Sequence, residues 1–186
     1  MTLLRSAVVL VVGVVASAGA AVADELKFTA TLSGAQEVTG TTPAGVETGT
    51  SGRIEVTFDE GLGSARFKLE VNDGVGVTAA HLHCGRAATN GPVVVPLFRA
   101  PGGVDVHGEL VSGTLTNASI GGAIGPIRAN CTQYIGIPVD NMASLAFAAR
   151  AGLIYANVQT MANPEGEVRG QLLEDRGRFT RPVSKD

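Results

Sequence analysis

Several features that mark other classes of protein are missing from this sequence. It lacks tryptophan, and only 17% of its residues are charged. Lysine and arginine number 14 against 17 aspartates and glutamates, so we expect no basic surface for nucleic acid or for an anionic membrane. No repeat of roughly 20–50 residues is present, which excludes propellers and solenoids. The glycine pairs at 102–103 and 121–122 lack the patterns of phosphate-binding loops, and no serine lies in the context of a nucleophile elbow.

Long apolar runs are also missing, except at the amino terminus. Arg5 precedes an apolar run from Ala7 to Val15, and small residues follow up to Ala23. These three parts are typical of a secretory signal peptide with an A-x-A cleavage site. The run is shorter than the roughly 20 residues that span a bilayer, which disfavours the alternative of an uncleaved anchor. We therefore predict cleavage after Ala23, a mature chain without a transmembrane segment, and a secreted or periplasmic location.

The predicted mature chain is mildly acidic and has the size of one domain. Residues 1–23 contain a single charged side chain, Arg5, so the mature chain keeps 13 basic and 17 acidic groups, a net charge of −4. About 163 residues can bury a sizeable core in one domain. We predict this domain over residues 24–174, followed by a charged tail over residues 175–186 that is expected to be disordered.

Cysteine is scarce: Cys84 and Cys131 are the only two. In an oxidising compartment, two cysteines in one exported chain are expected to form a disulfide. The alternative is that Cys84 acts as a thiolate metal ligand beside the neighbouring histidines.

What the sequence does contain is alternation of polar and apolar residues. "LKFTATLSG" (26–34), "RIEVTF" (53–58) and "SARFKLEV" (64–71) have the period of two that half-buried strands show. The second and third of these, joined by the short "DEGLG", predict a hairpin. Further strands are predicted for "GVTAAHLHC", "VVVPLF", "VHGELVSGTLT" and a terminal hairpin of residues 154–160 and 167–173. Pro96 predicts a bulge or a sheet edge near the end of "VVVPLF".

One helix is predicted, over "DNMASLAFAARAG" (140–152). Asp140 or Asn141 would cap it, Arg150 lies in the last turn, and Gly152 would end it. Many short alternating strands with one late helix indicate a mainly β fold. We predict an antiparallel, immunoglobulin-like β-sandwich with one short α-helix in the C-terminal half.

Three segments carry a family resemblance. "LSGAQEV", "TAAHLHCGRAATNGPVVVPLF" and "GLIYANVQTMANPEGEVRGQL", in this order, resemble the CHRD (chordin-type) domain family, and the similarity covers residues 26–173. The resemblance implies an exported β-sandwich but no single activity. In animal chordin such domains belong to an extracellular growth-factor antagonist, whereas bacterial single-domain members have no assigned chemistry. Relatives commonly read "NVHT" where this chain reads "NVQT", so Gln159 occupies a position that is usually histidine.

The H-x-H pair, His81 and His83, is the best candidate for chemistry. On a strand these side chains share one face, roughly 6.6–6.8 Å apart, and both imidazoles can reach one ion. Imidazole ligands suit copper and zinc. His107, on another predicted strand, and Gln159 are further candidate ligands. The alternative is that all three histidines are ordinary strand or core residues that bind the backbone.

Three functions remain open. The first is an exported binding module without catalysis, for an unknown extracytoplasmic partner, with copper or zinc bound at the H-x-H strand. The second is a copper-dependent redox protein, because this strand resembles the copper-binding strand of the copper/zinc superoxide dismutases. Arg169 or Arg86 would then steer the anion, unless each pairs with a carboxylate. The third is a structural role in an envelope or an extracellular matrix.

Overall fold

The computed structural model describes residues 25–40, 45–121 and 130–176. The predicted signal peptide lies outside these residues, as does the predicted tail beyond residue 176. The elements, in chain order, are β1 (Leu26–Ser33), β2 (Ser51–Phe58), β3 (Ser64–Cys84), β4 (Val93–Thr116), α1 (Cys131–Ile135), α2 (Met142–Arg150), β5 (Ile154–Thr160), β6 (Val168–Gln171) and β7 (Leu173–Glu174). Short 3-10 turns cover Gly34–Gln36 and Asn117–Ser119. No helix in the described part of the chain is long and apolar enough to cross a membrane.

The predicted mainly β fold is confirmed, but the strands form one closed sheet and not two stacked ones. Going round the ring, β1 pairs with β2, β2 with β3, β3 with β5, β5 with β6, and β6 with β1, all antiparallel. The result is a five-stranded barrel. β4 adds to the outside edge of β3, and β7 pairs with β1. The expected sandwich is corrected to this barrel because β3 is long enough to pair with β2 along its first half and with β5 along its second.

A bend in β3 makes this double pairing possible. Asp73 and Gly76 both adopt positive φ, 54° and 62°, and the pairing with β4 shifts register on both sides of Gly74. Such irregularities re-aim the side chains that follow. Before the bend the odd-numbered residues 65, 67, 69 and 71 are buried. The irregular stretch continues through a further register shift between Val77, which is still buried, and Ala79, and beyond it the even-numbered 80, 82 and 84 face the core. The bend thus reverses which positions face the core.

The local predictions agree well with the described elements. β2 and β3 form the predicted hairpin, and β5 and β6 form the terminal one. β4 is an edge strand, and its pairing shifts register where Pro96 faces His81. The prediction of an edge or bulge at Pro96 is therefore confirmed.

The predicted helix is α2. The Asn141 side chain accepts a hydrogen bond from the Ser144 amide at 2.8 Å and so caps its first turn. Gly152, at φ 69°, follows its end. The buried side chains of α2 are Met142, Leu145, Ala146, Ala148 and Ala149, which fix the helix against the core.

The predicted disulfide is confirmed, which removes the alternative of Cys84 as a metal ligand. Cys84 and Cys131 are bonded, with Cα atoms 5.7 Å apart. The bond links the end of β3 to the start of α1, a five-residue helix that the sequence patterns do not predict. The residue after His83 is therefore anchored covalently to the helical segment.

Candidate functional site

The second half of β3 carries both histidines of the H-x-H motif on its outer face. Ala80, Leu82 and Cys84 point into the barrel and are fully buried. His81 and His83 point the other way because side chains alternate along a strand. The chain between β3 and β4 folds back over this face, so that His83 is only 9% exposed. The two histidines therefore lie on a polar face that other segments cover.

His83 is held by a backbone carbonyl and an aromatic ring. Its Nδ1 lies 2.9 Å from the Gly91 carbonyl oxygen. A carbonyl only accepts, so Nδ1 carries the proton and Nε2 keeps its lone pair. That Nε2 is buried and has no hydrogen-bond partner among the described residues. The Tyr155 ring stacks on His83 with centroids 4.9 Å apart and planes 12° from parallel.

Both imidazoles are neutral at pH 7. Burial lowers the pKa of His83 to about 4; the nearby His81 and Arg169 act in the same direction, whereas the Gly91 carbonyl opposes them. Burial, and then the charge of Arg99, also lowers the pKa of His81. Neutral imidazole is the form that binds metals.

The neighbouring ring of His81 also has a nitrogen without a partner in the described residues. Its ring centroid lies 5.8 Å from that of His83. Its Nδ1 is buried, with no hydrogen-bond partner among the described residues. Most buried polar atoms in proteins do have a partner. Asn157 Oδ1 and Gln171 Oε1 are also buried without a partner among the described residues, but the two histidine nitrogens are the ones of these four that suit copper or zinc.

His107 is not brought to this pair. Its neighbours Val106 and Gly108 pair with β3 at Gly74 and Val71, in the other half of that strand. Its side chain is 75% exposed, and its Nδ1 lies 3.2 Å from a carboxylate oxygen of Asp73. No group of three or more histidine, cysteine or acidic side chains suited to a metal is found in the described part of the chain.

Gln159 does lie beside His81. It sits on β5 opposite Ala79 of β3, and it lines an open cleft of about 530 Å³ together with His81. The other lining residues are Thr78, Ala79, Pro96, Leu97, Phe98, Arg99 and Pro101. The structure thus places Gln159 beside His81, whereas His83 does not line this cleft.

Arg169 is enclosed, which does not suit the predicted role of steering an anion from solvent. It is 2% exposed, and its guanidinium carbon lies 3.5 Å from the centroid of the Tyr155 ring. Strand order puts Tyr155 between Arg169 and His83, so the cation and the imidazole cover opposite faces of the phenol ring. The guanidinium donates to the Arg86 and Thr89 carbonyls, at 2.9 Å each. Arg86 itself is exposed.

Glu37 is a member of this site that no sequence motif identified. It is 3% exposed and accepts a hydrogen bond of 2.8 Å from the Asn157 side-chain amide. Burial raises its pKa to about 7, although the charge of Arg169 and the Val38 amide both lower it. It could have been predicted as the one acidic residue in "LSGAQEV", a segment that carries the family resemblance.

A second buried carboxylate, Glu167, belongs to a different arrangement. It accepts hydrogen bonds from the hydroxyls of Thr48, Thr50 and Thr160 and from the Asn163 amide. Burial raises its pKa, but these hydrogen bonds outweigh that effect and lower it. Glu167 thus has four side-chain donors across its two oxygens, whereas Glu37 has the Asn157 side-chain amide, the Val38 backbone amide and a nearby cation.

The three segments that carry the family resemblance meet at this face. The Asn90 side chain donates to the Val38 carbonyl at 2.9 Å and accepts from Arg169 at 3.2 Å. One asparagine of the second segment therefore joins the first to the third. Gly91 beside it must be glycine, because a Cβ there would collide with the Cys84 carbonyl. We call Glu37, His83, Tyr155, Asn157 and Arg169 the Arg169 cluster.

Comparison with known proteins identifies one family. Residues 28–172 match the CHRD domain, a span that contains the Arg169 cluster and the cleft. Searches of curated proteins and of solved structures gave no significant match. The matched span covers well over half of the 186 residues, and the chain therefore belongs to the CHRD domain family.

Proposed function

We propose that this CHRD domain is an exported binding module without catalysis, and that His81 and His83 bind one copper or zinc ion. The leader-like first 23 residues support export, and so does the disulfide between Cys84 and Cys131. The proposal for the metal depends on one observation. Two neighbouring neutral imidazoles each hold a buried nitrogen without a partner in the described residues.

The surroundings of His83 resemble those of a metal-binding histidine. Such histidines usually donate their second ring nitrogen to a carbonyl or a carboxylate, which fixes the ring and the tautomer. The Gly91 carbonyl has this role toward Nδ1 of His83. The stacked Tyr155 ring restricts rotation further. Nε2 is then the nitrogen available to a metal.

Two imidazoles leave further coordination positions for other donors. Gln159 lies in the cleft with His81, and its amide oxygen is a weaker donor for copper or zinc than an imidazole nitrogen. We therefore expect an exchangeable ion, not a closed structural site. Arg169 is enclosed and donates to carbonyls, so it does not provide an exposed positive charge that could guide superoxide to the metal. Turnover therefore gains no support from Arg169, and the binding role depends on the two imidazoles.

Metal titration of protein purified without a histidine tag tests the proposal. After dialysis against a chelator, we expect one copper ion per wild-type chain by calorimetry. We expect at least tenfold weaker binding after His81→Ala and after the double substitution His81→Ala/His83→Ala. His107→Ala is the control, since that histidine is exposed in the other half of the β3–β4 ladder.

Unchanged copper stoichiometry and affinity in the double variant would overturn the metal site. A superoxide assay on the copper-loaded protein addresses the function itself. Bound copper without turnover supports binding, whereas turnover that disappears in the double variant would overturn the non-catalytic proposal. Thermal melting of each variant identifies any that fails to fold, and the single variant at the less buried His81 guards against that outcome.

A further inference from the structure

In the cleft beside His81, two polar side chains stand on either side of a small residue. Arg99 on β4 and Gln159 on β5 both lie opposite Ala79, which belongs to the central strand β3. All three line the cleft. The depression exists because the middle residue of this row is alanine; a larger side chain there would fill it.

The remaining lining is mostly apolar and rigid. Pro96, Leu97, Phe98 and Pro101, all on β4, form one wall. The volume of about 530 Å³ falls within the range that small-molecule sites occupy, roughly 300–1,000 Å³. A ring-bearing ligand of modest size fits a wall of two prolines and one phenylalanine. Such sites typically combine apolar walls with a few polar groups that fix orientation.

Arg99 is a cation without an ionic partner among the described residues. Arg53, Arg66 and Arg150 each form an ion pair with a glutamate, and Arg169 is enclosed by carbonyls. Arg99 forms no ion pair and no side-chain hydrogen bond with any residue that the structure describes, and it is exposed at the cleft. Its charge reaches across the cleft to His81, whose pKa it helps to lower. A free guanidinium beside apolar walls is complementary to a carboxylate on an apolar body.

We propose that this cleft binds a small organic carboxylate, with the carboxylate on Arg99 and an apolar ring against Phe98 and the prolines. Ala79 provides the floor, and Gln159 provides a second polar contact. This ligand is separate from the metal proposed above, although both sites border on His81 and Gln159. Copper binding depends on His83, whereas carboxylate binding depends on Arg99, so either proposal can fail without the other.

A pair of probes that differ only in charge tests the inference. 2-Naphthoate carries the carboxylate on an aromatic body, and 2-naphthamide has the same shape without the charge. We expect the wild-type protein to bind 2-naphthoate more tightly than the amide, by about tenfold at low ionic strength. Arg99→Gln should remove this preference, and Arg99→Lys should keep part of it, because lysine retains the charge but not the planar fork. Calorimetry or the fluorescence of the naphthyl group gives the affinities.

Two further variants localise the binding. Ala79→Phe fills the floor of the cleft without changing any charge, and it should abolish binding of both probes. Arg66→Gln, at an exposed ion pair away from the cleft, should change neither affinity. His83→Ala should lose copper and keep 2-naphthoate. The proposal would be overturned if the wild-type protein bound both probes equally, or if Arg99→Gln bound 2-naphthoate as tightly as the wild type. It would also be overturned if the folded wild-type protein bound neither probe at millimolar concentration.

Discussion

The two halves of β3 bury similar residues but carry opposite kinds of polar group on their outer faces. In the first half, Lys68 lies 2.6 Å from Glu70 and 3.7 Å from Glu109, and these side chains are 39–49% exposed. In the second half, His81 and His83 each hold a buried ring nitrogen without a partner in the described residues. One strand thus has a solvated, paired face and a covered, unpaired one.

Exposed, paired polar residues such as those of the first half keep a protein soluble, whereas buried, unpaired ones such as those of the second half can bind a ligand. Exposed ion pairs contribute little to stability because water screens them. Buried polar groups without a partner cost free energy, so a fold keeps them only where other interactions offset that cost. The second half of β3 is such a place, and its Arg169 cluster supplies the offsetting contacts.

The largest expected effect comes from breaking the covered face at Arg169. Arg169→Met removes the stack on Tyr155, the bonds to two carbonyls and the cation near Glu37. We expect a loss of about 3–5 kcal/mol in the free energy of unfolding. Arg53→Met, on the solvated face, should cost less than about 1 kcal/mol. Urea denaturation measures both, and equal losses would contradict the distinction between the faces.

The second prediction concerns the pH dependence of stability at Glu37. Its pKa is 4.5 in the unfolded reference and about 7 in the folded protein. Between these values the folded protein keeps the proton and the unfolded chain releases it, so this group lowers stability as pH rises from about 4.5 to 7. The change is about 3 kcal/mol at most. Glu37→Gln should therefore be more stable than the wild type at pH 8 and nearly equal to it at pH 4.5.

His83 produces the opposite slope in nearly the same range. Its pKa is 6.5 in the unfolded reference and about 4 in the folded protein. The unfolded chain takes up a proton below pH 6.5 and the folded protein does not, so this group lowers stability as pH falls toward 4. The two slopes oppose each other in the wild type. Denaturation with a chelator present should show a steeper loss on acidification in Glu37→Gln than in the wild type; equal curves would contradict the assignment.

A smaller effect is expected from adding a third imidazole to the proposed metal ligands. Gln159→His places an imidazole beside His81 in the cleft, as the family resemblance suggests. A third imidazole should raise the affinity for copper by about tenfold or more, the range that changes around metal ligands produce. Calorimetric titration measures this, with Gln171→His as the control, because Gln171 donates to three carbonyls away from the cleft. Unchanged affinity in Gln159→His would indicate that position 159 does not reach the metal.

The smallest effect is expected on the solvated face. Glu55 lies opposite Lys68 and pairs with Lys27 at 3.0 Å and with Arg53 at 2.9 Å. These hydrogen bonds lower its pKa, so its contribution is present at neutral pH and is lost as pH falls through that lowered pKa. Because Glu55 is over a third exposed, Glu55→Gln should cost at most about 1 kcal/mol at pH 7. Most of this cost should disappear in 1 M salt, and a salt-independent loss would contradict the screened pair.

Local chemistry was enough to predict most elements of this fold. Period-two patterns predicted the strands, and a capping asparagine with a terminal glycine predicted α2. The disulfide was predicted because an exported chain with two cysteines meets an oxidising compartment. Each of these depends on residues close together in sequence or on the only two cysteines. α1 escaped prediction because its five residues are too few to show a helical period.

The closure of the sheet was not predictable, because it depends on the bend in β3. "SARFKLEV" alternates throughout, but the irregular stretch that begins at Asp73 ends inside "GVTAAHLHC", where the core position changes from Val77 to Ala80. Without it, the odd-numbered His81 and His83 would continue the row of Phe67 and Leu69 into the barrel. The sequence shows this only as Asp73, Gly74 and Gly76, which mark an irregularity without giving its direction.

The candidate site was predictable in part for a similar reason. The H-x-H pair and Gln159 were found from strand spacing and from the resemblance. Glu37, and the enclosure of Arg169, depend on Asn90 joining segments that are far apart in the chain. The wall of the cleft was also not predicted: "VVVPLF" is apolar throughout, but only Val94 and Val95 of it are buried.

The position of β4 makes the cleft mechanically asymmetric. Gln159 stands on β5, a member of the closed ring, with hydrogen-bonded neighbours on both sides. Arg99 stands on β4, which among the described strands is bonded only to β3. Displacing the Gln159 wall would open the ring, whereas displacing the Arg99 wall strains a single ladder that already contains register shifts. Ligands of different width can therefore be accommodated on the arginine side, while the histidines keep their positions.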